Sequence, residues 1–265
     1  MSGPTTMPSR SSERFSEQVN RMFDRVAPRY DALNTTMSAG LDRRWRERAA
    51  AAADVPMGGA VLDVCCGTGD LAVEMAHRVG PTGKVVGCDF SSEMLSRATA
   101  KAAELGISNI EFDHADALQL PYPGESFDAV TVGFGLRNLA DHRAGISEMS
   151  RVARSGGRVV VLELTRPRRL PLSVFFDIWF DRLVPVLGRF SLDASAYNYL
   201  PASVRDFPGP HAVAALMADA GLTDIRYRIL AGGIVAIHTG TKPSIADEPG
   251  PLDKPISQAP TASKR

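Results

Sequence analysis

The sequence predicts a doubly wound α/β fold with a mostly parallel seven-stranded sheet, an antiparallel C-terminal hairpin, and extra helices ahead of the sheet and in a late insertion. Three observations predict it. Between residues 60 and 164, short apolar runs alternate with helical patterns. The runs are continuous in Val and Leu instead of alternating apolar with polar, as in parallel strands buried on both faces. The first run leads straight into Gly67-Thr68-Gly69, a glycine turn at the head of a helix.

Phe15, Val19, Met22, Phe23 and Val26 recur at helical spacing and predict an amphipathic helix over residues 13–27. A second helix is predicted over 37–53, stopped before Pro56 and Gly58-Gly59. Strand 60–64 then enters the glycine turn, and a helix over 70–78 stops at Gly80-Pro81. Strand 84–88 ends at Asp89, and Ser91 caps a helix that runs to Gly106. Strands over 110–114, 127–132 and 158–164 follow, with a helix over 141–154 between the last two. After a helix over 210–220, strands 225–230 and 234–238 meet at Gly232-Gly233 and predict an antiparallel hairpin at one edge of the sheet. Ligands of such sheets bind beyond the carboxyl ends of the strands, so Gly67 to Gly69, Asp89, Asp116 and Gly133 share one rim.

Composition fits one globular domain over residues 13–242, with disordered tails at 1–12 and 243–265. Thirty basic residues balance thirty acidic ones, so no net field draws the chain to nucleic acid. Two local basic clusters, Arg43-Arg44-Arg46-Arg48 and Arg166-Arg168-Arg169, read as solvated surfaces or as contacts to a membrane. Cys65, Cys66 and Cys88 have neither disulfide nor zinc spacing and read as buried small hydrophobes, and no metal is expected. The first residues carry no apolar signal region and no run is long enough to span a bilayer, which predicts a cytoplasmic protein.

Glycines at a helix N-terminus let the backbone approach an anionic group closely. Spacing alone leaves two nucleoside cofactors open, because Gly67-x-Gly69-x-x-Ala72 with Asp89 further on also satisfies a relaxed dinucleotide fingerprint. The string Leu62-Asp63-Val64-Cys65-Cys66-Gly67-Thr68-Gly69-Asp70 resembles the motif of class I S-adenosylmethionine-dependent methyltransferases, a Rossmann-like class with an acid inside the first strand. That resemblance implies S-adenosyl-L-methionine as cofactor. It places Asp63 toward the methionine ammonium, Asp89 at the ribose hydroxyls, and Asp116-Ala117 beside the adenine, with Gly67, Thr68, Gly69, Phe90 and Gly133 completing the site.

Other segments resemble the ubiquinone and menaquinone biosynthesis C-methyltransferases over residues 15–242. They are Tyr30-Asp31-Ala32-Leu33-Asn34 continuing to Trp45, Gly133-Phe134-Gly135-Leu136-Arg137-Asn138, the Arg151 to Glu163 region, Ala196-Tyr197-Asn198-Tyr199-Leu200-Pro201, and Gly232 to His238. Asp42 stands where that family commonly has His, and Leu33 where it has Met. The resemblance implies methylation of a ring carbon of a lipophilic polyprenyl quinol. Demethylmenaquinol leads, the ubiquinone-pathway benzoquinol or a specialised metabolite is the alternative, and a non-catalytic cofactor-binding scaffold is the reading from another class.

An apolar stretch over 172–190, with Ser173, Asp177 and Asp181 as a narrow polar stripe, independently suggests a greasy surface. Residues 165–209 are read as a substrate lid, with transient membrane contact and homo-oligomerisation left open. An aromatic carbon attacks a methyl sulfonium well only when a ring hydroxyl is deprotonated, so the site must stabilise a phenolate and remove a ring proton. Permanently cationic Arg137 is the candidate for the first task, with Asn138 orienting the ring. Asp31, Tyr197 and His238 are the candidates for the second, His238 by its intrinsic pKa.

Overall fold

The computed structural model describes residues 10–167, 170–178 and 194–244. The chain enters through α1 (Arg10–Val26), makes one 3-10 turn, and continues as α2 (Tyr30–Ser38) and α3 (Leu41–Ala52). Spacing predicted one helix over 37–53, yet two helices meet at Ala39 and Gly40, where φ is 51° and 74°. There the Gly40 N–H donates to the Thr35 carbonyl at 2.8 Å, and a left-handed cap of this kind ends a helix and turns the chain.

Strands and helices then alternate as predicted: β1 (Ala60–Val64), α4 (Asp70–Val79), β2 (Lys84–Asp89), α5 (Ser92–Glu104), β3 (Ile110–His114), β4 (Phe127–Gly133), α6 (His142–Val152) and β5 (Ala153–Leu164). Ser91 caps α5 by accepting the Met94 N–H at 3.1 Å. Beyond β5 come α7 (Leu172–Ile178), α8 (Ala194–Asp206), α9 (Pro210–Asp219), β6 (Thr223–Leu230) and β7 (Val235–Thr241). Helix α7 covers only the start of the apolar stretch expected over 172–190. Residues 179–190, Asp181 among them, lie outside the described residues.

The seven strands form one sheet in the order β3-β2-β1-β4-β5-β7-β6. β7 runs antiparallel to both β5 and β6. The hairpin therefore has only β6 at the edge, and β7 is an interior strand. Its residues Val235 to His238 are all buried, whereas β6 is largely exposed, so the more apolar strand takes the position covered on both sides.

Alternate residues of each strand serve opposite layers. Leu62, Val130, Val132, Val159 and Val161 pack toward α6 and α9, with Ile146, Met149 and Met217. Val61, Val85, Ala129, Val160 and Leu162 pack toward α3 and α4, with Ala49, Leu71 and Met75. Each such fully buried large side chain contributes on the order of 2 kcal/mol. By the same alternation Asp63 points into the second layer, a carboxylate among aliphatic groups. Strand order reverses between β1 and β4, and the loops after these strands open a crevice at that switch point.

Candidate active site

A cleft of about 820 Å³ lies at the crevice. Its floor and walls include Cys65 and Gly67 after β1, Asp89 and Phe90 after β2, Asp116 and Ala117 after β3, and Gly133 and Asn138 at and after β4. The fourth side is α1, which contributes Ser16, Val19, Asn20 and Phe23.

Asp89 fixes the loops from below. Its Oδ2 accepts the Gly67 N–H at 2.9 Å and its Oδ1 accepts the Ser91 N–H at 2.9 Å. A carboxylate has about four acceptor positions, so both oxygens can still receive a ligand hydroxyl. Burial nevertheless lifts the Asp89 pKa above the ordinary carboxylate value. Phe90 stacks against His114 with ring centroids 5.3 Å apart and is partly exposed to the cleft. The exposed Asp116 accepts the Leu118 N–H at 2.9 Å, which shapes the turn after β3.

Asp63 lies under the glycine turn. It is 1% exposed, Thr131 donates to its Oδ1 at 2.7 Å, and its Oδ2 has no hydrogen-bond partner. Burial pushes its pKa up to about 7, against the hydrogen bond from Thr131 and the positive charge of Arg46. An orphaned carboxylate beneath a glycine turn at a helix N-terminus suits a zwitterionic amino-acid group, with the carboxylate on the loop and the ammonium toward Asp63.

Gly69 lies outside the lining of the cleft and has a packing role. Its φ is 84°, and a Cβ would lie 3.1 Å from Ala98 Cβ and from the Phe112 ring, so α4 can start this close to α5 and β3 only without a side chain. Thr68 also faces away from the cleft. Its hydroxyl donates to Asp31 Oδ1 at 2.6 Å, and Lys101 binds Asp31 at 2.7 Å. Asp31 is therefore held in an ion pair behind the glycine turn, which removes it from the set of groups facing an acceptor ring.

A second cavity, of about 1190 Å³, adjoins the cleft and shares Tyr30 and Phe134 with it. Met37, Leu41, Trp45, Leu164, Phe176, Leu200 and Ile234 give it an apolar lining, with Arg46, Arg137 and Asp42 as its charged groups. Arg137 donates to Glu163 Oε1 at 2.8 Å and to the Phe134 carbonyl, while its backbone N–H donates to Glu163 Oε2 at 3.1 Å. Burial works against this charge, but the Glu163 carboxylate outweighs it and holds the Arg137 pKa above its usual value. The Arg137 Nε is buried without a partner. Asn138 accepts the Tyr199 hydroxyl at 3.0 Å. Burial raises the Tyr30 hydroxyl pKa, opposed by Arg137, so Tyr30 stays a neutral donor between the two cavities.

His238 sits elsewhere. It is buried in mid-β7, paired in register with Val161, and its Nε2 lies 3.0 Å from the Pro210 carbonyl at the head of α9. Burial lowers its pKa, which favours the neutral ring, and it lines neither cavity. The hairpin pattern predicts that His238 ends an edge strand, whereas β7 lies between β5 and β6 inside the sheet. Tyr197 lies on α8, and its side chain is outside the described residues. The thiols of Cys65, Cys66 and Cys88 are pushed well above their normal pKa by burial, so they stay protonated.

Several functional residues escaped sequence reading. Arg46 was counted with a solvated basic cluster, yet it is buried, pairs with Asp42 and Asp70, and lies 5.6 Å over the Phe134 ring. Its spacing with Asp42, Trp45 and Ala49 on one helix face was the available signal. Glu163 could have been found as the lone acid in the run Val159 to Leu164. Cys65 and Phe134, at φ 54° and 59°, hold left-handed conformations that side chains rarely adopt, one on each loop of the crevice. Nothing in the sequence signals them.

Fold and site together define a class I methyltransferase that uses S-adenosylmethionine, since the orphaned Asp63 oxygen, the open acceptor positions of Asp89 and the apolar walls at Phe90, Met94 and Ala117 fit that cofactor. The chain belongs to the ubiE/COQ5 methyltransferase family, whose model matches residues 11–242. It is 45% identical to a demethylmenaquinone methyltransferase of Thermus thermophilus, covering 84% of this chain and 100% of that relative. It is 42% identical to the demethylmenaquinone methyltransferase of Desulfitobacterium hafniense, over 85% of this chain and 90% of that one. A ubiquinone/menaquinone biosynthesis C-methyltransferase of Geobacter sulfurreducens is 41% identical over 85% and 89%. Among solved structures, the [4+2]-cyclase SpnF superposes with a TM-score of 0.65 at 20% identity, covering 92% of this chain and 100% of that one. A SAM-dependent methyltransferase of Aquifex aeolicus superposes at 0.52 and 21%, over 71% and 84%. These structural likenesses establish the fold alone.

Proposed function

We propose that the protein methylates a ring carbon of a polyprenyl quinol, with demethylmenaquinol as the acceptor. The observation that carries this reading is the apolar cavity beside the cofactor cleft, with a buried, glutamate-held arginine in its wall. When bound, S-adenosylmethionine supplies an activated methyl group. Arg137 then stabilises the deprotonated ring hydroxyl, while Asn138, steadied by Tyr199, and Tyr30 orient the ring where the two cavities meet. Asp42 is the one carboxylate among the described lining residues of the acceptor cavity. Burial opposes its ionisation, but the Ser38 hydroxyl and Arg46 hold its pKa below the ordinary range, so it stays ionised in its pair with Arg46 and fixes that guanidinium in the cavity wall.

Residues 165–209 act in this reading as the lid, because α7 and α8 supply Phe176 and Leu200 to the acceptor cavity. Leu170 and Val174 are 76% and 49% exposed beside it, which supports contact with a membrane that holds the substrate. No helix among the described residues is long and apolar enough to cross one. The test is to incubate enzyme and cofactor with demethylmenaquinol and, separately, with the methoxy-benzoquinol of ubiquinone synthesis, following product mass. Product from the naphthoquinol is expected. Product from the benzoquinol alone would reassign the acceptor, and none from either would overturn the reading.

A further inference from the structure

We propose that Asn20 on α1 is a ligand of the adenosine half of the cofactor and that α1 is the flap that must lift for cofactor exchange. This rests on the cofactor reading above and deepens it. Ser16, Val19, Asn20 and Phe23 recur at helical spacing and form the α1 wall of the cofactor cleft, opposite Asp89, Phe90 and Asp116. The Asn20 Oδ1 atom is buried and has no hydrogen-bond partner. Buried carbonyls are nearly always paired, so an orphan on a residue that lines the cleft marks a contact that a ligand completes. A carboxamide both donates and accepts. It therefore matches the adenine edge, with its exocyclic amine and ring nitrogens, and equally the ribose hydroxyls.

Two side-chain latches hold the N-terminal helices against the cofactor loops. Asp24, one turn beyond Asn20, accepts the Ser91 hydroxyl at 2.6 Å, and Ser91 is bound through its N–H to Asp89. Asp31 accepts the Thr68 hydroxyl at 2.6 Å and pairs with Lys101 at 2.7 Å. Each latch ends on a residue next to a loop that carries the cofactor. The ligand would thus be enclosed between sheet and helix, and its departure requires the Asp24 contact to break.

Calorimetry on the full chain tests Asn20→Ala and Asn20→Leu with S-adenosylmethionine and with 5′-methylthioadenosine, which lacks the amino-acid end. The expected result is a three- to tenfold weaker affinity for both ligands, about the worth of one neutral hydrogen bond. Stopped-flow release of S-adenosylhomocysteine should be several-fold faster in Asp24→Ala, and hydrogen exchange over residues 16–23 should slow on cofactor binding. Folded Asn20 variants with unchanged affinity for both ligands, or exchange in α1 indifferent to cofactor, would overturn the proposal. Failure of the wild-type protein to bind S-adenosylmethionine at all would instead bring down the cofactor reading on which it rests.

Discussion

The two cavities of this enzyme are built on different principles. The cofactor cleft is made largely of loops that directly follow β1, β2, β3 and β4, and its determinants are backbone N–H groups and the acids that receive them. The acceptor cavity is assembled from α2, α3, α7, α8, the end of β5, the turn between β6 and β7 and the loop after β4, and its charged groups are side chains held by one another. A parallel sheet thus delivers the first site from local sequence, because every strand ends on the same rim. The second exists only after distant segments have packed, and its charges depend on their pairs.

That contrast is sharpest where a pair is broken. Glu163→Ala leaves the Arg137 guanidinium buried without its carboxylate, and the expected loss is about 3–5 kcal/mol of stability in a denaturant titration. Glu163→Gln should lose less, since it retains an acceptor. Arg137→Ala should leave cofactor affinity within about twofold while lowering turnover of the quinol by 10²- to 10³-fold, or about 3–4 kcal/mol, read by product mass. Equal loss of cofactor binding would mean that the two cavities are not separable in this way.

Asp63 brings a pH dependence to the cofactor side. Its folded pKa of about 7 lies above its ordinary value of 3.8, so between these pH values the folded state binds more protons than the unfolded state. Stability from this group is therefore greatest below about pH 4, falls as pH rises toward 7, and then levels off. Binding of an ammonium-bearing cofactor runs the other way. Affinity should rise with pH from 5.5 to 7, by up to about tenfold per unit, as the carboxylate ionises. Asp63→Asn should flatten both profiles, as followed by calorimetry and by urea unfolding at several pH values.

The smallest effect is expected at His238, which belongs to neither cavity. His238→Gln should cost on the order of 1 kcal/mol, through the hydrogen bond to Pro210, and leave turnover per folded molecule within about twofold. A turnover loss of a hundredfold with cofactor binding intact would return it to the list of proton acceptors.

Legibility in the sequence followed the same division. The strands of the parallel half, the glycine turn and the rim acids were readable because they obey local rules of period, capping and turn chemistry. The split between α2 and α3 was missed because Ala39, a good helix former, takes a left-handed conformation beside Gly40. The interior place of β7 was missed because hairpin signals give adjacency, not which strand faces the edge. Arg46 was misplaced because a charge on an amphipathic helix reads as solvated until the element packed against it is known, and Asp31, a candidate proton acceptor, because its partners Thr68 and Lys101 lie far along the chain.

By itself, the sequence determined a mostly parallel sheet with a crevice at its strand ends, and, through resemblance, the methyl donor. These follow from patterns within a few residues of one another. Tertiary structure alone decided that Arg137 is held by Glu163, that Asp31 is held by Lys101 and not free, that His238 lines neither cavity, and that Tyr30 stands between the cavities. Such facts depend on which side chains approach across long loops, where burial makes an unpaired charge costly enough that the fold selects its partner.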